Sequence, residues 1–397
     1  MLLAVSVFLF FSASVGLSSV IARYAEGLGA GAGSVGFMFS LASFVSAVLR
    51  VPVGLLADRF GSLLFMGVGL SSVGVAGLVA VFSTGMQHLY LARLVQGVGI
   101  ASFIAPSIAA ASLIAGSDYE AARALSYRSA AISLAITVSP LLASWLVDAL
   151  GYRAAFLYVS LVSLAGFVPL YLIRASGGGG RPGRGGGSGS PRLGLPGWRT
   201  AAGRAVAAMV VLAFLDGSVF ISLQAIPQYQ VAAMKLPARV YGGFLAVYGF
   251  MSLASRLLSH RVMRLVGAAP TIASGTVLEA VGLLTLSLHA SVPALYMGGT
   301  VYGIGRGLVA PSSQYVLLAS VPREVRNTVA SLYAVGVDMG GGLGTVAYSK
   351  LVEVEGYRAA YLAMALAEVL GLASLASLLG VKTLLQRDSR GESRAGL

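Results

Sequence analysis

Apolar stretches about as long as a bilayer core is thick succeed one another along almost the whole chain, separated by short polar breaks. A helix needs about 20 apolar residues to cross the hydrocarbon. By that measure twelve runs qualify, near residues 2–22, 34–57, 63–84, 88–115, 126–149 and 153–173, then 204–231, 239–260, 269–289, 291–318, 326–349 and 358–381. Lipid offers unpaired backbone groups no partner, so spanning segments are helices or closed barrels. These runs are too long and continuous for barrel strands of about ten residues. The pattern predicts an all-α membrane protein with twelve transmembrane helices. The first run is long and has no basic n-region, so a retained helix is expected in place of a cleaved signal peptide.

Hydropathy collapses once, in GGGGRPGRGGGSGSPRLGLPGWR. Glycine, proline and arginine without periodicity read as a flexible, solvated linker, placed at 176–203. The half of the chain after the linker repeats the half before it. LVDALGYRAAFL from Leu146 recurs as LVEVEGYRAAYL from Leu351, and Ala105-Pro106-Ser107 recurs as Ala310-Pro311-Ser312, both at an offset of 205 residues. Arg50 to Gly61 has a degenerate counterpart in Arg256 to Gly267. Such repeats imply two pseudo-symmetric six-helix bundles related by an axis along the membrane normal. Their bounds are expected at 1–175 and 204–383, with a basic tail at 384–397.

Composition agrees and excludes other classes. Mean hydropathy is +0.86 and 10% of residues are charged, against about 25% in soluble domains. The net charge of +13 gathers in short segments between the spans. By the positive-inside rule this places both termini in the cytoplasm of a multi-pass cell-membrane protein, with the bilayer as partner. A nucleic-acid role for the linker is the alternative, but only Trp198 is there to stack on a base, so no nucleic acid is expected. Cysteine is absent, and His88, His260 and His289 are isolated, so neither a metal nor a cofactor is expected. No G-x-x-x-x-G-K-[ST] motif supports direct ATP coupling.

Two motifs carry a family resemblance. GLLADRFG, Gly54 to Gly61, resembles the loop between helices 2 and 3 of the major facilitator superfamily, G-x-L-x-D-R-x-G-R-[RK]. Gly54, Leu56, Asp58, Arg59 and Gly61 fall on the pattern, while Ser62 and Leu63 replace its two closing basic residues. Arg93 to Ala101 resembles the same family's helix-4 motif, R-x-x-Q-G-x-G-x-A, through Arg93, Gln96, Gly97, Gly99 and Ala101. In span five, Ala135, Ser139, Pro140, Ala143 and Ser144 resemble a weakened antiporter motif, G-x-x-x-G-P-x-x-G-G, in which small residues and a proline bend survive. Gly97, Gly99, Ser139 and Pro140 are read as helix-packing positions, since small residues let helices approach in lipid.

Charges inside the spans supply candidate chemistry. Asp216, Arg306 and Asp338 fall near the middles of spans seven, ten and eleven, where an ionised group costs about 2.5–3.5 kcal/mol. The resemblance implies that these helices surround a central cavity, which would gather the three into one polar cluster. Phe220, Gln224 and Gln228 continue the Asp216 face at steps of four, and Pro227 is expected to free a carbonyl near the outer end of the span. Asp216 or Asp338 is expected to carry a coupling proton; a static ion-pair network is the competing reading. Arg93 has two readings, a proton-coupling role implied by the family and an arginine snorkelling to the interface. Gln96 and Tyr302 complete the candidate substrate- or proton-binding set. Glu279 and Glu368, on helices peripheral in that fold, read as packing or protonated groups.

The resemblance also gives the helix 2–3 loop a mechanical role. Asp58 and Arg59, together with Glu324 and Arg326, are expected to form a cytoplasmic latch between the halves, with Gly54 and Gly61 on either side letting backbones come close. A simple positive-inside stop is the alternative. The expected function is a monomeric secondary transporter working by alternating access, with proton-coupled export of a small organic compound. Proton symport of an organic anion or sugar is the runner-up. A membrane enzyme lacks any nucleophile–base constellation here, and a receptor or sensor lacks a signalling domain.

Overall fold

A computed structural model of the chain describes residues 1–113, 118–175, 200–288, 291–321 and 326–379. Among the described residues there is no strand. The helices are α1 (Leu2–Gly27), α2 (Ala32–Phe60), α3 (Ser62–Val81), α4 (Met86–Leu113), α5 (Asp118–Leu150), α6 (Tyr152–Ala165) and α7 (Phe167–Ala175). They continue as α8 (Ala201–Ser222), α9 (Ile226–Ala233), α10 (Ala238–Val266), α11 (Ala268–Leu288), α12 (Val292–Ala319) and α13 (Arg326–Leu379). The linker and tail expected at 176–203 and 384–397 lie almost wholly outside the described residues.

Nine segments among the described residues are long and apolar enough to cross a membrane. Two of them are interrupted. α6 and α7 are separated at Gly166, and α8 and α9 at Leu223 to Ala225, where Pro227 opens the first turn of α9. The expected seventh span is therefore a broken helix rather than a continuous one. Conversely, α13 runs 54 residues but contains one non-helical residue, Gly356, at φ 83° and ψ 177°. That glycine divides it into two arms where the sequence predicts the turn between spans eleven and twelve.

The repeat is visible in the backbone. Gly61 and Gly267 have φ of 100° and 94°, at the turns from α2 to α3 and from α10 to α11. Gly151 and Gly356 have φ of 85° and 83°, at the sequence-related turns of the LVDALG and LVEVEG segments. Both conformations are costly for any residue with a Cβ. The buried apolar side chains obey the same division. One cluster draws on residues before Arg174, joined by Ala225; two draw on residues after Thr200, joined by Ala32. The halves meet where α2 packs on the first arm of α13 and α5 packs on α10.

Small residues set how closely these helices approach. A Cβ on Gly217 of α8 would lie 2.5 Å from the Val337 carbonyl of α13, and one on Gly340 would strike the Phe214 carbonyl of α8. Across the halves, a Cβ on Gly242 of α10 would lie 2.7 Å from Ser144 Oγ and 2.9 Å from the Pro140 carbonyl of α5.

Gly356→Ala is expected to lower stability by about 1–3 kcal/mol, the cost of forcing that backbone conformation on a residue with a Cβ. Gly27→Ala, whose Cβ meets nothing within 4 Å, is expected to stay within about 0.5 kcal/mol. Thermal unfolding of the two purified variants against the parent measures the contrast.

Candidate functional site

The densest chemistry lies within the second half. Arg306 of α12 forms an ion pair through Nη1 with Asp216 Oδ1 of α8, and its guanidinium lies over the Phe220 ring at 4.5 Å. The same Nη1 is 4.0 Å from Glu279 Oε1 of α11. Glu368, from the second arm of α13, completes the group: Asp216, Glu279 and Glu368 each offer an oxygen, all within 4.8 Å of one another. Asp216 is 1% exposed and both glutamates are 0% exposed. Glycines permit the convergence, because a Cβ on Gly305 of α12 would lie 2.8 Å from Glu279 Cγ.

Three carboxylates and one guanidinium leave this enclosed group with excess acid. Among the described residues, Asp216 Oδ2, both oxygens of Glu279 and both of Glu368 have no hydrogen-bond partner, nor do Thr276 Oγ1 and Tyr302 Oη. Convergent oxygens of this kind accept a proton or a small cation. Glu279 and Glu368, read as packing or protonated groups on peripheral helices, are corrected in their placement alone: both turn inward, onto Asp216 and Arg306.

Asp338 does not join this cluster, contrary to the sequence expectation. It faces α2 of the other half, where Arg50 Nη2 forms an ion pair with its Oδ2 and Ser46 Oγ donates to the same oxygen at 3.0 Å. The side chains of this cross-half pair are 9% and 12% exposed. Arg50 was legible only as the first residue of the degenerate repeat, and no local signal marks its partner 288 positions away.

Arg93 of α4 is 4% exposed and turned inward. Nη1 donates to Ser18 Oγ at 2.9 Å and to Gln96 Oε1 at 2.6 Å, Nη2 donates to the Phe39 carbonyl at 3.3 Å, and the guanidinium covers the Phe39 ring at 4.2 Å. Those partners are all neutral. Gln96 Nε2 in turn donates to the Ser14 carbonyl at 2.9 Å. A Cβ on Gly97 would lie 2.7 Å from the Ala42 carbonyl of α2, and one on Gly99 would lie 2.8 Å from Val73 of α3. Ser139 Oγ donates to the Ser12 carbonyl at 2.5 Å, and Pro140 lies inside α5.

A third group of contacts closes one end of the molecule, where α1 runs into α2 and α5 into α6 (the distal end). Asp148, ending α5, accepts from the Ala238 and Arg239 N–H groups at the start of α10, at 2.8 and 2.9 Å. Glu353, its repeat counterpart, accepts from the Gly33 N–H at the start of α2 at 2.6 Å. Each carboxylate therefore caps a helix N-terminus of the opposite half, where the helix dipole favours negative charge. Arg23 also donates to the Leu236 carbonyl. Gln228 belongs to this closure and not to the Asp216 group, its Oε1 accepting from the Ala22 N–H at 2.6 Å. Gln224 is half-buried, and its carbonyl accepts from Tyr241 Oη at 2.9 Å.

The expected latch falls largely outside the described residues: this holds for Glu324 and for the side chains of Asp58 and Arg326. Arg59 is exposed, beside the Phe60 ring. A Cβ on Gly54 or Gly61 would meet nothing within 4 Å. These glycines do not serve close packing here; Gly61 supplies the positive φ of the turn.

Fold and site together define a multi-pass helical membrane protein with charge networks inside and between two related halves. A family model described as Major Facilitator Superfamily matches residues 3–278 and 241–395. The chain belongs to that superfamily, a family of membrane transporters and not of enzymes. Among solved structures it resembles a POT family transporter in complex with 5-aminolevulinic acid, with TM-score 0.80 and 12% identity over 97% of this chain and 96% of that one. It also resembles a bacterial homolog of the human lysosomal transporter Spinster, in an inward-facing and occupied conformation. There the TM-score is 0.72 and the identity 15%, over 96% and 97% of the two chains. Curated relatives include the methylenomycin A resistance protein of Bacillus subtilis, 32% identical over 32% of this chain and 27% of that protein. The synaptic vesicular amine transporter of Mus musculus is 25% identical over 36% of this chain and 28% of that protein. The matched stretches thus span little more than a quarter of these two relatives.

Arg50→Ala leaves Asp338 buried without its cation, at an expected cost of about 3–5 kcal/mol. Replacing both, Arg50→Leu with Asp338→Leu, is expected to recover most of that loss. Thermal unfolding of the single and double variants reads the difference.

Proposed function

We propose that the chain is a secondary transporter that moves a small organic solute by alternating access, exporting it in exchange for protons. In this reading twelve passes form two six-helix halves, 1–175 and 204–383, which rock about a midplane site. Both termini, the linker and the tail face the cytoplasm of a cell membrane, and the working unit is a monomer. The observation that carries the reading is the set of charges between the halves. Arg50–Asp338 couples them in the interior, while the paired Asp148 and Glu353 caps hold the distal end shut. Both depend on the relative placement of the halves, so rocking breaks them and opens the distal side.

Proton coupling is supported by the excess of carboxylates around Arg306. Export is supported by the resistance protein among the relatives. Symport of an organic anion is a second reading, favoured by Arg93, a buried cation with only neutral partners. The sign of the pH change that solute flux causes in proteoliposomes separates the two, since antiport moves protons against the solute and symport moves them with it. Ligand-induced thermal stabilisation across a compound panel identifies the solute to use.

Asp216→Asn and Asp338→Asn are expected to abolish pH-gradient-driven flux in vesicles. Retention of that flux by both variants refutes the coupling. The distal caps are tested by labelling. The chain has no cysteine of its own, so Val35→Cys, 1% exposed at the cross-half contact, reports distal opening cleanly. Adding Asp148→Asn and Glu353→Gln is expected to raise its modification by an impermeant maleimide from the distal side.

A further inference from the structure

The two acids that the sequence placed at the periphery have no counterpart in the first half. Counting from the matched turn glycines, Gly61 with Gly267 and Gly151 with Gly356, Val73 occupies the position of Glu279 and Ser163 that of Glu368. The packing confirms the match: a Cβ on Gly99 would lie 2.8 Å from Val73 Cγ2, as one on Gly305 would lie 2.8 Å from Glu279 Cγ. A neutral pair, both 0% exposed, therefore fills these positions in the first half. Nothing in the fold requires two glutamates there, and burying them is costly.

Their surroundings specify what they hold. With Arg306 on Asp216 that pair is neutral, so ionised Glu279 and Glu368 would add two uncompensated like charges at 0% exposure. Tyr302 Oη, 1% exposed and one turn before Arg306 on the same helix face, has no partner and lies within electrostatic reach of both glutamates. Thr276 Oγ1, one turn before Glu279, is likewise buried and unpartnered. The other groups nearby are Tyr248 of α10, with Arg256 beside it, and Tyr333 and Tyr348 of α13. None of these is a cation except Arg256, which reaches Arg306 and Tyr248 rather than the acids.

We propose that Glu279 and Glu368 form a proton-binding site, both carrying protons while Arg306 is paired with Asp216. Arg306 is a switch within it. Its Nη1 is already 4.0 Å from Glu279, and swinging onto that glutamate frees Asp216. The O–H bond of Glu279 breaks and its proton bonds to the vacated Asp216 carboxylate, so charge and protons balance inside the cluster. The proton thereby passes from α11 to α8. This site's link to solute flux rests on the proton-coupled reading above; its protonation state does not.

The test is infrared spectroscopy of the full-length protein in lipid nanodiscs at pH 7, tracking the carbonyl band of protonated carboxyl groups, which needs no solute. The parent is expected to show the band, Glu279→Gln and Glu368→Gln each to lose about half of it, and the double variant to lose all of it. Asp216→Asn is expected to lose about half as well, because Arg306 then rests on Glu279 and ionises it. Gln mimics the neutral acid, so these variants are expected to fold. Absence of the band in the parent, its survival in the double variant, or its erasure by added sodium chloride overturns the site. An undiminished band in Asp216→Asn overturns the switch. A band that behaves as stated in a protein without pH-driven flux leaves this site standing and removes only the transport reading.

Discussion

The constraint on which this molecule rests is the expense of an unpaired charge where water is scarce. An ion in a low-dielectric interior persists only if a partner and hydrogen bonds compensate it. Each buried charge is therefore also a statement about geometry. Asp216 holds Arg306, and with it α8 to α12; Asp338 holds Arg50, and with it one half to the other. Alongside small-residue contacts, interhelix hydrogen bonds and dispersion, such pairs tie particular helices to particular partners.

The two halves use one framework for unequal ends. Positive-φ glycines terminate matching helices, and matched carboxylates, Asp148 and Glu353, cap the opposite half's helices. The interior departs from this symmetry. Arg50 faces Asp338, whereas its counterpart Arg256 has Ser133 at the position related to Asp338. The acid cluster of the second half stands where the first has Val73 and Ser163, and the first half instead buries Arg93 among neutral oxygens. Symmetry thus belongs to the distal closure and the turns, and asymmetry to the charged groups of the interior.

Much of this was legible in the chain. The apolar runs, the 205-residue repeat and the motifs around Asp58 and Arg93 led to a helical membrane fold of this superfamily, because membrane insertion reads hydropathy locally and over about 20 residues at a time. The sequence also marked Asp216 and Arg306 as costly interior charges, which is a property of composition and depth. The Pro227 interruption was foreshadowed by proline's missing N–H.

Tertiary structure alone decided who meets whom. Asp338 turned to Arg50 rather than to Arg306, Gln228 to the distal closure rather than to the Asp216 face, and Glu279 and Glu368 inward rather than to the periphery. The reason is angular. Successive residues on a helix point about 100° apart, so a small rotation of the whole helix reassigns every side chain to a new neighbour. That rotation is fixed by contacts such as Gly217 on Val337 and Gly305 on Glu279, made between segments far apart in the chain. Hydropathy tells how deep a residue lies; only the packed bundle tells which way it faces.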